Sequence, residues 1–295
     1  MAGSGAPPVI SRKIAVVTGA TSGIGEVTAR RLASQGAFVV LVGHDVGRGR
    51  AALERIRTLV PSAQLDLVTG DLAERVGVDT LAAELTQRYP RIDVLVNNAG
   101  AIYARREVTR DGVERTWALN VVAPFRLTRG LEGSLRAAGY ARVVNVASDA
   151  HRGQHLDFAD LEGAKGYSGY RAYGRSKLAL LVWTFELARR WSGTGVTVNA
   201  VHPGFVRTGF AQNNGGAFAG VVRFVSYLFA VGPEVGADTP VFAAVDPSLE
   251  GRTGLYLVRE TATLPSPDAR NVEDGPRLVR LLEAGPPSLV RPVGW

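Results

Sequence analysis

A chain of 295 residues with 46% apolar and 21% charged residues has the composition of a protein that buries a substantial core. It contains no cysteine, which excludes a disulfide framework and any thiolate metal site. The net charge of +7 comes mostly from arginines scattered among acidic residues rather than from a basic tract. That dispersion argues against nucleic acid as a partner and for long-range attraction of anionic ligands.

Residues 1–11 hold Pro7-Pro8 and neither a basic n-region nor an apolar h-region, so they read as a flexible tail rather than a secretory leader. The cytoplasm is the expected compartment. From Arg12 onward, short β-branched runs alternate with longer stretches of helical periodicity. The expected strands are Ile14 to Val17, Phe38 to Val42, Gln64 to Val68, Ile92 to Val96, Arg142 to Val146 and Val196 to Val201. The expected helices between them are Glu26 to Gln35, Gly49 to Leu59, Thr80 to Tyr89, Gly112 to Ala138 and Ala172 to Trp191. Nearly continuous apolar strands, each followed by a helix, predict an α/β fold: a Rossmann-type doubly wound parallel sheet of about seven strands with helices on both faces. Such a sheet binds ligands beyond the carboxyl ends of its strands.

Beyond Pro203 the pattern loosens. Residues 209–232 are expected to form a substrate lid within a single domain spanning 12–285, and the Pro-rich segment 286–295 a C-terminal tail. The apolar run Ala217 to Val231 is shorter than the ~20 residues a membrane span needs, and Arg223 interrupts it, so no transmembrane segment is expected.

After the first strand comes Thr18-Gly19-Ala20-Thr21-Ser22-Gly23-Ile24-Gly25, which leads into a helix. Gly19 suits a tight turn, Gly23 a close approach of backbone to a pyrophosphate, and Gly25 close packing of helix on strand, with phosphates at the helix N-terminus. Farther along, Tyr173 and Lys177 are four apart in a helical segment and share a face. A phenol titrates near 10, and an adjacent ammonium favours the phenolate, so the pair is expected to bring a tyrosine toward the working range of an acid-base catalyst. Lysine stands only at Lys13, Lys165 and Lys177 in this arginine-rich chain, which singles Lys177 out. Ser148 ends the fifth strand, where a hydroxyl can hold a substrate oxygen, and Asn120 sits mid-helix, where an amide is suited to a buried hydrogen bond.

The Gly-x-x-x-Gly-x-Gly spacing resembles that of the short-chain dehydrogenase/reductase family. Further motifs match in order: Gly70-Asp71-Leu72, Asn97-Asn98-Ala99-Gly100, Asn120, Ser148, Tyr173-x-x-x-Lys177 and Pro203-Gly204. The style of Thr109-Arg110-Asp111-Gly112 and of His202-Pro203-Gly204-Phe205-Val206-Arg207-Thr208 is similar to the retinol-dehydrogenase-like branch. The resemblance covers residues 12 to 258. It implies catalytic roles for Asn120, Ser148, Tyr173 and Lys177, with Asn120 holding a water that connects Lys177 to solvent. It implies cofactor contacts at Gly19, Thr21, Ser22, Gly23, Ile24, Gly25, His44, Asp71, Leu72, Asn98, Ala99, Gly100, Tyr173, Lys177, Pro203, Gly204, Val206 and Thr208. It also implies a homodimer or homotetramer.

The position where an acid would bond an NAD ribose carries Gly43, followed by His44 where the branch has Arg; NADP(H) is therefore the expected cofactor, with NAD(H) the alternative. No metal is expected: His151 and His155 are four apart, but Gly153 argues against a helix there and no third ligand is evident. Phe205, Phe210, Phe218, Phe224, Tyr227 and Phe229 suit a mostly apolar, fairly large carbonyl or alcohol substrate. The sparing use of lysine points to a bacterial chain. The expected function is an oxidoreductase that moves a hydride between NADP(H) and such a substrate, with Tyr173 as general acid/base. The alternatives are an NAD-dependent alcohol dehydrogenase working in the oxidising direction, an epimerase or dehydratase of the same family, and a non-catalytic dinucleotide sensor.

Overall fold

The computed structural model describes residues 10, 12–204 and 232–285. Val206, Thr208, the two expected tails apart from Ile10, and all of the expected lid except Gly232 lie outside the described residues.

Each expected strand is found, its ends within two residues of the expected ones. In chain order these are β1 Ile14–Thr18, β2 Phe38–Gly43, β3 Gln64–Thr69, β4 Val94–Asn97, β5 Ala141–Val146 and β6 Val196–His202. Two further strands, β7 Tyr256–Val258 and β8 Thr261–Ala262, bring the sheet to eight among the described residues, against about seven expected. The order is β3-β2-β1-β4-β5-β6-β7-β8, parallel throughout except for the antiparallel β7–β8 pair. Strand order reverses between β1 and β4, which opens the ligand crevice of a doubly wound sheet at their carboxyl ends.

The helices are α1 Gly23–Ser34, α2 Val46–Leu59, α3 Arg75–Arg88, α4 Arg115–Trp117, α5 Ala123–Gly130, α6 Glu132–Ala137, α7 Gly169–Arg190, α8 Pro233–Gly236, α9 Asp238–Val245 and α10 Asp274–Ala284. They cover both faces because alternate strand residues point to opposite sides. Val16, Val40 and Val42 join Leu81, Leu127, Leu178 and Trp183 in one core. Ala15, Val17, Val39 and Leu41 join Leu32, Ile56 and Val241 in the other.

The helix expected over Gly112 to Ala138 is broken into pieces. The buried Glu114 carboxylate accepts the N–H groups of Thr116 and Trp117 at 2.9 and 2.8 Å and starts α4. Residues Ala118–Val122 then form a π-helical turn that joins α4 to α5. A single π turn inserts one residue into the helical ladder and often marks a functional site.

A buried chain of amides and hydroxyls crosses the first core and ties β4 and β5 to α7. Asn97 Nδ2 donates to Thr128 Oγ1 at 3.0 Å and to Asn145 Oδ1 at 2.8 Å, and Asn145 Nδ2 donates to Thr184 Oγ1 at 2.8 Å. Polar groups buried this deeply are costly when left unpaired. Asn145→Ala is therefore expected to lower the unfolding free energy by about 1–3 kcal/mol in urea titration. No change in midpoint would mean that the chain adds no net stability.

Candidate active site

The crevice is built around Thr18, the last residue of β1. Its Oγ1 accepts the N–H groups of Asn98 and Ala99, both at 3.0 Å, while Asn98 Nδ2 donates to the carbonyls of Thr18 and Gly19 at 2.9 and 3.3 Å. Asn97 and Asn98 thus point opposite ways, the first into the core and the second onto the Gly-rich turn. Within that turn Gly19 and Gly23 take φ of +64° and +59°, which side chains disfavour. A Cβ on Gly25 would lie 2.3 Å from the Gly19 carbonyl oxygen, so the helix packs directly on the turn. Thr21, Ser22 and Ile24 complete it, and Ser22 stands at the N-cap of α1 without a side-chain cap bond. This glycine cradle at the start of a helix fits a dinucleotide pyrophosphate.

At the end of β2, a Cβ on Gly43 would lie 2.4 Å from the Thr21 methyl, so an acid there would have to displace that side chain. His44 beside it is exposed. Arg48 Nη2 is 3.4 Å from Ser22 Oγ, and Arg55, one side of an ion pair with Glu26, donates to the Thr21 carbonyl at 3.2 Å. Arg55 was not singled out from the sequence, although residues 48 and 55 are two turns apart on α2 and therefore share a face. Asp71 Oδ1 accepts the Ala73 N–H at 2.9 Å, while Leu72 turns into the core. Pro203 and Gly204, the latter at φ +84°, follow β6.

The π turn places Asn120 facing the loop after β4. Only 1% exposed, its Oδ1 accepts the Ala101 N–H at 2.9 Å, and its Nδ2 donates to the Ala101 carbonyl and to Ser176 Oγ, both at 2.9 Å. Ser176, inside the Tyr173-x-x-x-Lys177 spacing, was not singled out from the sequence. Its hydroxyl also donates to the Tyr173 carbonyl at 2.7 Å, so it bridges Asn120 to the turn of α7 that carries Tyr173 and Lys177. A Cβ on Gly100 would lie 3.1 Å from Asn120 Oδ1 and 3.4 Å from Lys177 Nζ, which brings those two residues to one wall.

Lys177 is 3% exposed and donates to the Val146 carbonyl of β5 at 2.8 Å, with Nζ 5.7 Å from the Tyr173 ring centroid. Burial lowers its pKa to about 8. Burial pushes the Tyr173 phenol up to about 12, the hydrogen bond with Ser148 works against that rise, and Tyr170 adds to it. The direction differs from the expected lowering by Lys177. Desolvation disfavours the phenolate, and the ammonium gives its hydrogen bond to a backbone carbonyl.

The two histidines four apart diverge. His151 is buried behind Ser148, whereas His155 is exposed and paired with Asp268 at 2.5 Å. A separate cleft of about 450 Å³ runs along the carboxyl-terminal half of α7, lined by Val182, Phe185, Leu264 and Val272. None of the residues predicted for the site lines it. Among the described residues, no helix is long and apolar enough to cross a membrane.

A dinucleotide cradle at the switch point of a doubly wound sheet, with a serine, a tyrosine and a buried lysine beyond it, defines the class of NAD(P)-dependent oxidoreductases. Residues 13–217 match the short chain dehydrogenase family. A polyprenol dehydrogenase from Mus musculus is 39% identical over 95% of this chain and 87% of its own length. Retinol dehydrogenase 13 from Homo sapiens is 34% identical over 91% of this chain and 83% of its own. Among solved structures, the L-sorbose reductase of Gluconobacter frateurii, complexed with NADPH and L-sorbose, superposes with a TM-score of 0.68 at 26% identity, covering 86% and 97% of the two chains. The chain belongs to the short-chain dehydrogenase/reductase family, in its retinol-dehydrogenase-like branch.

Proposed function

We propose that this protein transfers a hydride between NADP(H) and the carbonyl or alcohol carbon of a mostly apolar, fairly large substrate, with Tyr173 as the general acid/base. The observation that carries the reading is the hydrogen bond between Tyr173 and Ser148 beside the buried Lys177. The bound dinucleotide supplies or accepts the hydride. Gly19, Gly23 and Gly25 would hold its pyrophosphate, and Tyr173, Lys177, Pro203 and Gly204 would flank its nicotinamide end.

In reduction, Tyr173 gives its proton to the substrate oxygen and Ser148 holds that oxygen as negative charge develops on it. Lys177 restores the balance: its ammonium stabilises the tyrosinate formed, and Asn120 and Ser176 keep the lysine wall and the Tyr173 turn in register. Oxidation of an alcohol runs the same steps backward. The names of the polyprenol and retinol dehydrogenases support an apolar alcohol or carbonyl substrate.

Tyr173→Phe is expected to cut turnover by ~10²–10⁴-fold while leaving NADPH binding, measured by nucleotide fluorescence, unchanged. Turnover near that of the native enzyme would remove Tyr173 from the mechanism.

The two shifted groups set the pH dependence. Below about 8 Lys177 is an ammonium, and the Tyr173 phenol, raised to about 12, carries its proton. Reductive turnover is expected to be sustained near neutrality and to fall as pH rises through about 8, where Lys177 loses its charge. Oxidation needs the phenolate, and with the phenol raised to about 12 it should rise only at pH well above that range. Profiles that are flat in both directions would contradict these assignments.

For the cofactor, Gly43 in place of an acid, with Arg48 and Arg55 beside the turn, favours a 2′-phosphate. Saturation should occur at lower NADPH than NADH, and Arg48→Ala should raise KM for NADPH by roughly 3- to 10-fold, the scale of one exposed charge contact. A clear preference for NADH in the native enzyme would reverse the cofactor assignment.

A further inference from the structure

The loop after β5 contains more than Ser148. Ser148 Oγ accepts the Ala150 N–H at 3.2 Å and starts a single 3-10 turn, Asp149–His151, which carries the His151 side chain to a fully buried position. Both ring nitrogens meet backbone groups there. Nδ1 is 2.7 Å from the Ser148 carbonyl oxygen, and Nε2 is 3.1 Å from the N–H of Ser266, itself buried. A carbonyl only accepts and an amide N–H only donates, so the ring must be neutral with its proton on Nδ1.

The surroundings hold the same state. Tyr256 packs edge-on against the imidazole, with centroids 5.4 Å apart and planes at 82°, and its hydroxyl donates to Asp149 Oδ1 at 3.0 Å. Burial keeps the imidazole pKa below the ordinary histidine range; the Ser148 carbonyl and Asp149 pull it up, and Arg152 pulls it down. On the opposite side, a Cβ on Gly174 would lie 2.5 Å from the Ala150 carbonyl, so the 3-10 turn rests directly on the turn of α7 that carries Tyr173. An apolar side chain at position 151 would leave the Ser266 N–H buried and unpaired, and Ser148 without its anchor to the segment after β8.

We infer that His151 is a positioning residue: a neutral, Nδ1-protonated imidazole that clamps the Ser148 backbone to the Ser266 amide and thereby sets the Ser148 hydroxyl against Tyr173. The inference rests on the catalytic reading of Ser148 and Tyr173 above, and it assigns His151 no proton-transfer role.

The test combines turnover kinetics with a readout that needs no turnover. His151→Phe keeps a ring against Tyr256 but removes both hydrogen bonds. It is expected to lower kcat by roughly 10- to 100-fold, as a small misplacement of a catalytic group does, with NADPH affinity within about twofold of native. His151→Asn, whose amide still reaches the Ser148 carbonyl but not the Ser266 N–H, should recover only part of that loss. In a Ser148→Ala background, His151→Phe should cost nothing further, because a residue that acts through Ser148 has nothing left to position. An unchanged kcat in His151→Phe, or a full additional loss on top of Ser148→Ala, would overturn the inference. Nitrogen-15 NMR of the native protein reads the tautomer directly: the Nδ1-protonated neutral ring is expected near neutral pH, and an Nε2-protonated or cationic ring would overturn the inference even if no variant folds. Failure of the underlying catalytic reading shows up differently, as an unchanged rate in Tyr173→Phe.

Discussion

The hydroxyl of Thr18 holds the crevice together. It accepts two successive N–H groups from the loop after β4 at the point where strand order reverses, and Asn98 returns the contact to the Thr18 and Gly19 carbonyls. Those bonds bring two chain segments eighty residues apart within van der Waals distance: a Cβ on Gly19 would lie 2.9 Å from the Ala99 Cα. A Gly-rich turn can cradle a pyrophosphate only if it is held open in one conformation, and here its conformation is set by the neighbouring loop as much as by its own glycines. The same loop continues through Gly100 to Ala101, which Asn120 grips by both its N–H and its carbonyl. The Gly-rich turn and the wall that carries Asn120 are therefore parts of one hydrogen-bonded unit.

The second organising element is α7. Along its first turns, Tyr173, Gly174, Ser176 and Lys177 face four different neighbours: Ser148, the Ala150 carbonyl, Asn120 and the Val146 carbonyl. The burial this requires has an electrostatic consequence. With its ammonium resting on a carbonyl rather than a carboxylate, Lys177 falls to about 8, while the Tyr173 phenol rises to about 12. Burial draws each group toward its uncharged form, yet near neutrality Lys177 keeps its ammonium against the Val146 carbonyl while the Tyr173 phenol keeps its proton. That arrangement suits a site where negative charge develops during reaction beside an ammonium already in place.

The reach of sequence reasoning follows from the range of the forces involved. Hydrophobic periodicity and strand-helix alternation are local, so six strands and the doubly wound fold were legible, as were the Gly-rich turn and the four-residue spacing of Tyr173 and Lys177. The β7–β8 hairpin was not. Its strands are three and two residues long, and Arg259 and Glu260 adopt positive φ in the turn where glycine or asparagine would have signalled it. The break in the Gly112 to Ala138 helix was also missed, because a π turn leaves apolar periodicity nearly intact.

What the sequence determined by itself was the identity and order of the chemical groups: glycines at the turn from β1 into α1, a tyrosine and lysine on one helical face, a serine at a strand end, and no acid at position 43. Tertiary structure decided their states and partners. Whether a phenol is raised or lowered depends on burial and on where the nearby ammonium spends its hydrogen bond, and neither is encoded in the spacing of residues 173 and 177. Ser176, Arg55 and His151 acquire their partners only when segments 56, 34 and 115 residues apart come together. Hydrogen bonds act over about 3 Å, so such contacts exist only once the chain has folded.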